Sequence, residues 1–383
     1  MTESSTGERQ RVKPAIGVLI VDDSSVYCEF LAHVLGTDPS IHVAGAVHDG
    51  AAALAAVASL RPDVITMDVN MPGMNGYDVA RRIMETFPTP IIVVSAADDT
   101  GDVESSFRAM ESGAVAVVSK VRGGDSPDAQ AHSRELIQMV KLMAEVKVIK
   151  RWARKPVPTH EPSGTRAVGA FSTPISRMRP SGIAAAGTIE AILIGASTGG
   201  PVPIRTILSA LPAGFPAAVL IVQHIAAGFV NGFSDWLSEA SRLPIHVAAE
   251  GEPIKAAHVY IAPDEAHMGV RAGPRVSLSR SDPEHGLRPS VSYLFRSAAA
   301  VYGKRVVGIL LSGMGTDGAK ELKALKDLGA VTFAQDSESC VVFGMPGEAV
   351  TLEAATYTLP PEDIASAIVA IAGRAGSTEG APS

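Results

Sequence analysis

The sequence predicts an α/β chain of two doubly wound parallel-sheet domains joined by a Pro-rich linker. Three observations predict it. Between about residues 15 and 120, five short β-rich apolar runs alternate with helical patterns at the pitch of βαβ units. Residues 155–187 then hold five prolines among Gly, Ser, Thr and Arg, with no periodicity. From Thr188 to about Arg374 a second strand–helix alternation runs. The domain bounds that follow are 15–150 and 188–374, with a linker at 151–187 and disordered tails at 1–14 and 375–383.

In the first domain the strand candidates are Ile16–Val21, His42–Ala46, Val64–Met67, Ile91–Val94 and Val115–Val118. Helical patterns lie between them at Val26–Leu35, Ala51–Leu60, Gly76–Thr86 and Val103–Ser112. A further helix with a basic end is expected from His132 to Arg154. In the second domain, Ile189–Ile194, Ala217–Val222 and Arg305–Leu311 read as buried parallel strands, and Pro201–Leu211 as a Pro-opened helix. A hairpin is expected to interrupt them, using Val259–Pro263, His267–Arg271 and Arg275–Ser279, with a turn at Ala272-Gly273-Pro274.

A chain of 383 residues, 46% hydrophobic, can build two or three substantial cores. Its net charge of −7 and lack of a Lys/Arg block argue against nucleic acid as a main partner. No run of eighteen apolar residues suggests a membrane span, and Met1–Gln10 lacks the apolar region of a signal peptide. Cys28 and Cys340 have no metal-site spacing and suit buried thiols in a reducing compartment, so the expected location is cytoplasmic. His42, His48, His246 and His267 read as surface or turn residues rather than ligands.

Chemistry collects at strand ends. Asp22 and Asp23 follow the first strand of the first domain, and Asp68 follows the third. Such carboxylates repel one another unless they hold a hard cation, for which Mg²⁺ is suited. Ser95 ends the fourth strand and Lys120 follows the fifth. The set suits phosphoryl transfer to a carboxylate. Asp68 is the nucleophile, the metal and Lys120 neutralise the transferred oxygens, and Ser95 bonds the product. A single strand-end Asp is more often a cap or turn residue, but that does not explain five matching residues at four strand ends.

In the second domain Ser197 sits in Gly195-Ala196-Ser197-Thr198-Gly199-Gly200-Pro201, where a strand gives way to a helix. This suits either a G-x-S-x-G nucleophile or a Gly-rich phosphate-cradling turn. His224 follows the next strand, and Asp317 lies in the Gly-rich loop after Arg305–Leu311. Three triad residue types at the carboxyl ends of parallel strands favour the nucleophile. Their order, Ser, His, Asp, is not that of the α/β-hydrolase fold.

Residues 15–125 resemble the response-regulator receiver family, a flavodoxin-like fold. The resemblance rests on Val18-Leu19-Ile20-Val21-Asp22-Asp23-Ser24, Met67-Asp68-Val69-Asn70-Met71-Pro72, Ser95 and Lys120. It implies Mg²⁺ at Asp22, Asp23, Asp68 and the Asn70 carbonyl, and a sensor histidine kinase as phosphoryl donor. Val117 and Val121 stand where receivers usually carry an aromatic residue and a proline.

Residues 188–374 resemble the catalytic domain of the chemotaxis protein-glutamate methylesterases, a Rossmann-like sheet. The carrying blocks are Ile194–Pro201, Val222-Gln223-His224, Tyr260-Ile261-Ala262-Pro263, Arg288-Pro289-Ser290-Val291, Leu311–Ala319, Ala334-Gln335-Asp336 and Ser339–Pro346. The resemblance implies Ser197 as nucleophile, His224 as base, Asp317 as orienting carboxylate, an oxyanion contact from the Met314 N–H, and Thr198 near the imidazole. It implies hydrolysis of glutamyl γ-methyl esters on a methyl-accepting chemotaxis receptor, deamidation of receptor glutamines, and no cofactor for the esterase step. Asp264, Asn70 and Ser292 depart from the residues often found at their positions, Gly, Glu and Asp respectively. Cys340 reads as packing. With two sites on two domains, the unphosphorylated receiver is expected to cover the Ser197 edge.

Two other classes remain to be weighed. A non-catalytic adaptor would predict that Ser197→Ala is silent. A nucleotide-binding module lacks both the G-x-G-x-x-G pattern and a ribose-binding acid after the next strand.

Overall fold

The structure, a computed structural model, describes residues 15–71, 73–95, 100–120, 127–146 and 188–373. The tails, the linker, Val121 and residues 147–154 of the expected basic helix lie outside the described residues.

Five strands form the first sheet: β1 (Ile16–Val21), β2 (Ile41–Val47), β3 (Val64–Met67), β4 (Ile91–Ser95) and β5 (Ala116–Ser119). Their order is β2-β1-β3-β4-β5, with every pair parallel. Val18, Leu19, Ile20, Val64, Ile65 and Ile91–Val93 are nearly or fully buried, as strands covered on both faces must be. Covering them are α1 (Ser25–Gly36), α2 (Gly50–Leu60), α3 (Gly76–Thr86), α4 (Thr100–Glu111) and α5 (Pro127–Met143). Polar side chains start three of these helices: Ser24, Asp49 and Asn75 each accept a hydrogen bond from a first-turn N–H.

The expected His132–Arg154 helix needs correction. α5 begins earlier, at Pro127, whose fixed φ suits a first helical position, and ends at Met143. Residues 144–146 have already left the helix. The basic residues beyond suggest a helix C-terminus eleven residues too late.

The second sheet has seven parallel strands in the order β14-β13-β12-β6-β7-β9-β8. They are β6 (Ala191–Ala196), β7 (Ala218–Gln223), β8 (Ile245–Val247), β9 (Val259–Ile261), β12 (Val306–Leu310), β13 (Val331–Gln335) and β14 (Tyr357–Leu359). Helices α6 (Pro201–Ala210), α7 (Val230–Ser238), α8 (Val291–Tyr302), α9 (Ala319–Asp327), α10 (Met345–Thr351) and α11 (Pro361–Gly373) complete the domain. The inserted hairpin is β10 (His267–Arg271) with β11 (Arg275–Ser279), paired antiparallel. Val259–Ile261, expected in that hairpin, instead pairs parallel with β7 and β8 in the main sheet. Its three residues are buried, and burial on both faces is the mark of a central parallel strand.

The main reversal of chain order lies between β1 and β3 in the first sheet and between β6 and β12 in the second. Crevices at the carboxyl ends of strands beside such switch points are where open α/β sheets place their sites. Among the described residues no helix is long and apolar enough to cross a membrane.

The two domains meet through α4. Phe107, fully buried, lies 5.4 Å from the ring of Phe233 and 5.2 Å from that of Trp236, both on α7. Beside it Glu111 forms an ion pair with Arg205 of α6 at 2.6 Å. The Arg205 guanidinium lies over the Trp236 ring at 4.5 Å.

Candidate active and phosphoacceptor sites

At the first switch point, carboxylate oxygens of Asp22, Asp23 and Asp68 lie within 4.8 Å of one another. Asp22 and Asp68 are buried, while Asp23 is exposed. Both buried acids also brace their own turns. Asp22 accepts from the Ser24 N–H at 2.9 Å and Asp68 from the Asn70 N–H at 3.1 Å. The cap-or-turn role therefore coexists with the cluster. Lys120 reaches across from the end of β5, its Nζ 2.6 Å from Asp68 and 3.0 Å from Asp22.

Burial pulls the Lys120 pKa down, but the bonds and charges of Asp68 and Asp22 outweigh it and hold the ammonium above the ordinary lysine range. Asp22 moves the other way: burial raises its pKa against the Ser24 and Lys120 contacts. A desolvated pair of acids sharing one lysine is short of positive charge, and an all-oxygen donor set is what a hard divalent cation takes. The residues present therefore fit Mg²⁺. Ser95 is fully buried at the end of β4, where its carbonyl accepts from the Lys120 N–H at 2.8 Å.

At the second switch point Ser197 stands just past β6. Its N–H donates to the Ser312 carbonyl at 3.0 Å, tying it to the loop after β12. Its carbonyl accepts from the Gly200 N–H and from Gln223 Nε2. Two glycines make this approach possible. Gly199 has φ +77°, and a Cβ there would lie 2.4 Å from Val341. A Cβ on Gly313 would fall 2.8 Å from the Ser197 Cβ.

His224 follows β7, and its Nε2 lies 3.0 Å from Asp317 Oδ2. Asp317 is 1% exposed and its oxygens are filled. Oδ1 accepts from Ser290 Oγ at 2.9 Å and the Ser292 N–H at 3.0 Å, and Oδ2 from the Val291 N–H at 2.7 Å. These donors are the N-terminus of α8, whose dipole favours an anion. Burial raises the Asp317 pKa, but His224 and the Ser292 contacts override it and leave the carboxyl well below the usual range. An ionised Asp317 obliges Nε2 of His224 to carry the ring proton. The lone pair is then on Nδ1, which has no other hydrogen-bond partner among the described residues. No hydrogen bond joins Ser197 Oγ to His224 in this state, a common looseness in unliganded sites. The Met314 N–H likewise has no acceptor among the described residues, and its side chain is 48% exposed.

Because folding lowers the Asp317 pKa from its ordinary 3.8, its contribution to stability is complete above that pH. It is lost as pH falls below it.

The structure thus brings together Ser197, His224 and Asp317, with Thr198 and Met314 lining the same cavity. It separately gathers Asp22, Asp23, Asp68 and Lys120. Sequence reading missed the residues that hold these groups. Gln223 Nε2 bonds both the Ser197 and His224 carbonyls at 2.8 Å, tying the two turns together. Ser312 Oγ donates to the Thr198 carbonyl, and its N–H donates to Gln335 Oε1. Ser290 is both the N-cap of α8 and a donor to Asp317. Its place before a helical run was the one signal that could have marked it. Ser290→Ala is expected to cost about 1 kcal/mol of stability from the cap and up to tenfold in turnover from the looser carboxylate. Thermal unfolding and a steady-state rate assay measure the two separately.

Three smaller expectations change. His267 is fully buried, donating from Nε2 to the Asp282 carbonyl and accepting the Ser290 N–H on Nδ1. His246 sits within strand β8 and pairs with Glu252 at 2.7 Å. Cys340 is only half-buried, though burial and the Asp336 charge push its thiol up to about 12. Of the departing residues, Asp264 accepts the Gly228 N–H, in the loop that carries His224. Ser292 accepts the Gly318 N–H and donates to Glu321.

Fold and sites together define a two-domain α/β protein with an acidic, lysine-bridged pocket on one sheet and a Ser/His/Asp cluster on the other. Residues 18–126 match the response regulator receiver domain family, and residues 192–368 match the CheB methylesterase family. Over 360 residues the chain is 50% identical to a protein-glutamate methylesterase/protein-glutamine glutaminase of Syntrophus aciditrophicus, covering 94% of this chain and 99% of that one. A counterpart from Geobacter metallireducens is 49% identical over 358 residues, covering 93% and 99%. The crystal structure of the Thermotoga maritima CheB methylesterase catalytic domain superposes with a TM-score of 0.47 at 36% identity, over 48% of this chain and 98% of that one. This chain belongs to the protein-glutamate methylesterase/protein-glutamine glutaminase family.

Proposed function

We propose that this chain is a phosphorylation-activated esterase that hydrolyses glutamyl γ-methyl esters on a chemotaxis receptor, with glutamine amides as second substrates. The observation that carries this reading is the buried, ionised Asp317 holding His224 beside Ser197 at the sheet's switch point. His224 takes the Ser197 proton on Nδ1 as Oγ attacks the ester carbonyl. The Met314 N–H stabilises the tetrahedral oxyanion. His224 then returns the proton to the leaving methanol, and water attacks the acyl-serine to free the glutamate. The two ring nitrogens exchange the roles they have in the chymotrypsin template, where Nε2 serves the serine. For a glutamine the same route releases ammonia.

In the receiver, Asp68 accepts the phosphoryl group from a sensor kinase. Asp22, Asp23, Asp68 and the Asn70 carbonyl would hold Mg²⁺, which would neutralise the transferred oxygens together with Lys120. The α4 contact with α6 and α7 holds the receiver over the Ser197 edge. Phosphorylation shifts the population toward an open arrangement. We assign a cytoplasmic location, supported by Cys28 and Cys340 both being free thiols.

The test is methanol release from methylated receptor with and without acetyl phosphate and Mg²⁺. Stimulation is expected in the wild type and should be absent in Asp68→Asn, whose basal rate stays unchanged. No release from wild type while Asp68 still takes up phosphate would favour the adaptor.

A further inference from the structure

The receiver covers the catalytic edge without sealing it. Between the domains lies a cavity of about 460 Å³ that reaches Ser197 and His224. Its receiver wall is mostly apolar, formed by Phe107, Met110, Ala116, Val117 and Met139, with Gln138 as its polar member. Ser197 remains only half-buried with the receiver in place, and exposed Met314 lines the same cavity. Pockets of about 300–1,000 Å³ are the size that takes small ligands. An α-helix about 10–12 Å across needs several turns of clear surface, which this space does not offer. The room depends partly on β5, where the small side chain of Val117 stands at the wall.

We propose that the closed, unphosphorylated protein hydrolyses small carboxylic esters, so that the receiver sorts substrates by size. This rests on the reading of Ser197 as nucleophile. The apolar wall takes the acyl or alcohol body, and the carbonyl meets Ser197 and the Met314 N–H. Ser197 Oγ bonds the acyl carbon, its proton passes through His224 to the departing alcohol, and the ester C–O bond breaks. Water then attacks the acyl-serine, releasing the carboxylic acid and restoring the hydroxyl. No cofactor or second substrate is consumed.

The probe is p-nitrophenyl acetate, followed by p-nitrophenolate release from the full-length chain, beside methanol release from methylated receptor. Acetyl phosphate with Mg²⁺ is expected to raise receptor demethylation by roughly tenfold or more and the small-ester rate by less than about twofold. Ser197→Ala should abolish both. Val117→Tyr, filling the wall, should cut the unphosphorylated small-ester rate by about tenfold. Equal stimulation of both substrates would overturn the proposal. So would an absent small-ester activity in a chain that still demethylates receptor. Loss of both activities in the wild type would instead overturn the esterase reading itself.

Discussion

Ser197→Ala is expected to lower methanol release from methylated receptor by up to roughly 10⁶-fold, with the fold intact. The size of the effect is that of removing the nucleophile of a serine triad, whose remaining members cannot attack the ester. Ser312, the nearest serine of the loop after β12, spends its Oγ on the Thr198 carbonyl and its N–H on Gln335. Asp317→Asn should cost about 10⁴-fold, because the amide can no longer fix the Nε2–H tautomer of His224. It should also destabilise the chain, since an asparagine NH₂ must face one of the donors from Ser290, Val291 or Ser292. Ser197→Ala removes only a partly exposed hydroxyl and should leave the melting temperature near that of the wild type. Circular dichroism melts and methanol assays on both variants separate the two losses. Retention of receptor demethylation in Ser197→Ala would end the serine-esterase reading.

Much of this site was legible in the sequence because its chemistry sits at strand ends. A buried parallel strand is an unbroken apolar run, and the first polar residue after it falls at the sheet's carboxyl edge. That placed Ser197, His224, Asp22, Asp68 and Ser95 before any coordinates. What the run does not record is its neighbour. Val259–Ile261 has the composition of a strand in either sheet, and only pairing with Val219–Ile221 and Ile245–Val247 assigns it. The residues that hold Ser197, His224 and Asp317 in place were hidden for a related reason. Gln223, Ser290 and Ser312 are ordinary polar residues in sequence, and act through contacts spanning 26 to 114 positions. His267 misled because a histidine at the start of a strand gives no sign of the α8 N-terminus folding over it. Ser292 stood out in sequence only as a departure from the usual Asp, and its contacts are with the Asp317 carboxylate and the Gly318 N–H.

Phe107→Ala is expected to raise receptor demethylation in the absence of any phosphoryl donor. The Phe107 ring stacks on Trp236 and packs on Phe233, so it belongs to the receiver in sequence and to the catalytic domain's surface in packing. Truncating a buried phenylalanine costs about 3–5 kcal/mol in a core, and part of that loss here falls inside the receiver in both states. If about 2 kcal/mol belongs to the closed arrangement alone, the open population rises roughly thirtyfold, until it saturates at the phosphorylated rate. The neighbouring Glu111–Arg205 pair should matter less. Glu111 is 43% exposed, and a solvent-screened ion pair contributes at most about 1 kcal/mol, so Glu111→Ala should raise basal activity only severalfold. The ranking is diagnostic, because it separates a latch built on buried aromatic area from one built on charge. A charge latch would make Glu111→Ala the stronger variant and would weaken steeply with added salt. An aromatic latch should leave the basal rate nearly salt-independent, with Phe107→Ala no longer responding to acetyl phosphate because its receptor site is already open. A Phe107→Ala chain that keeps a low basal rate and full stimulation would place the restraint on the Ser197 edge elsewhere than in α4.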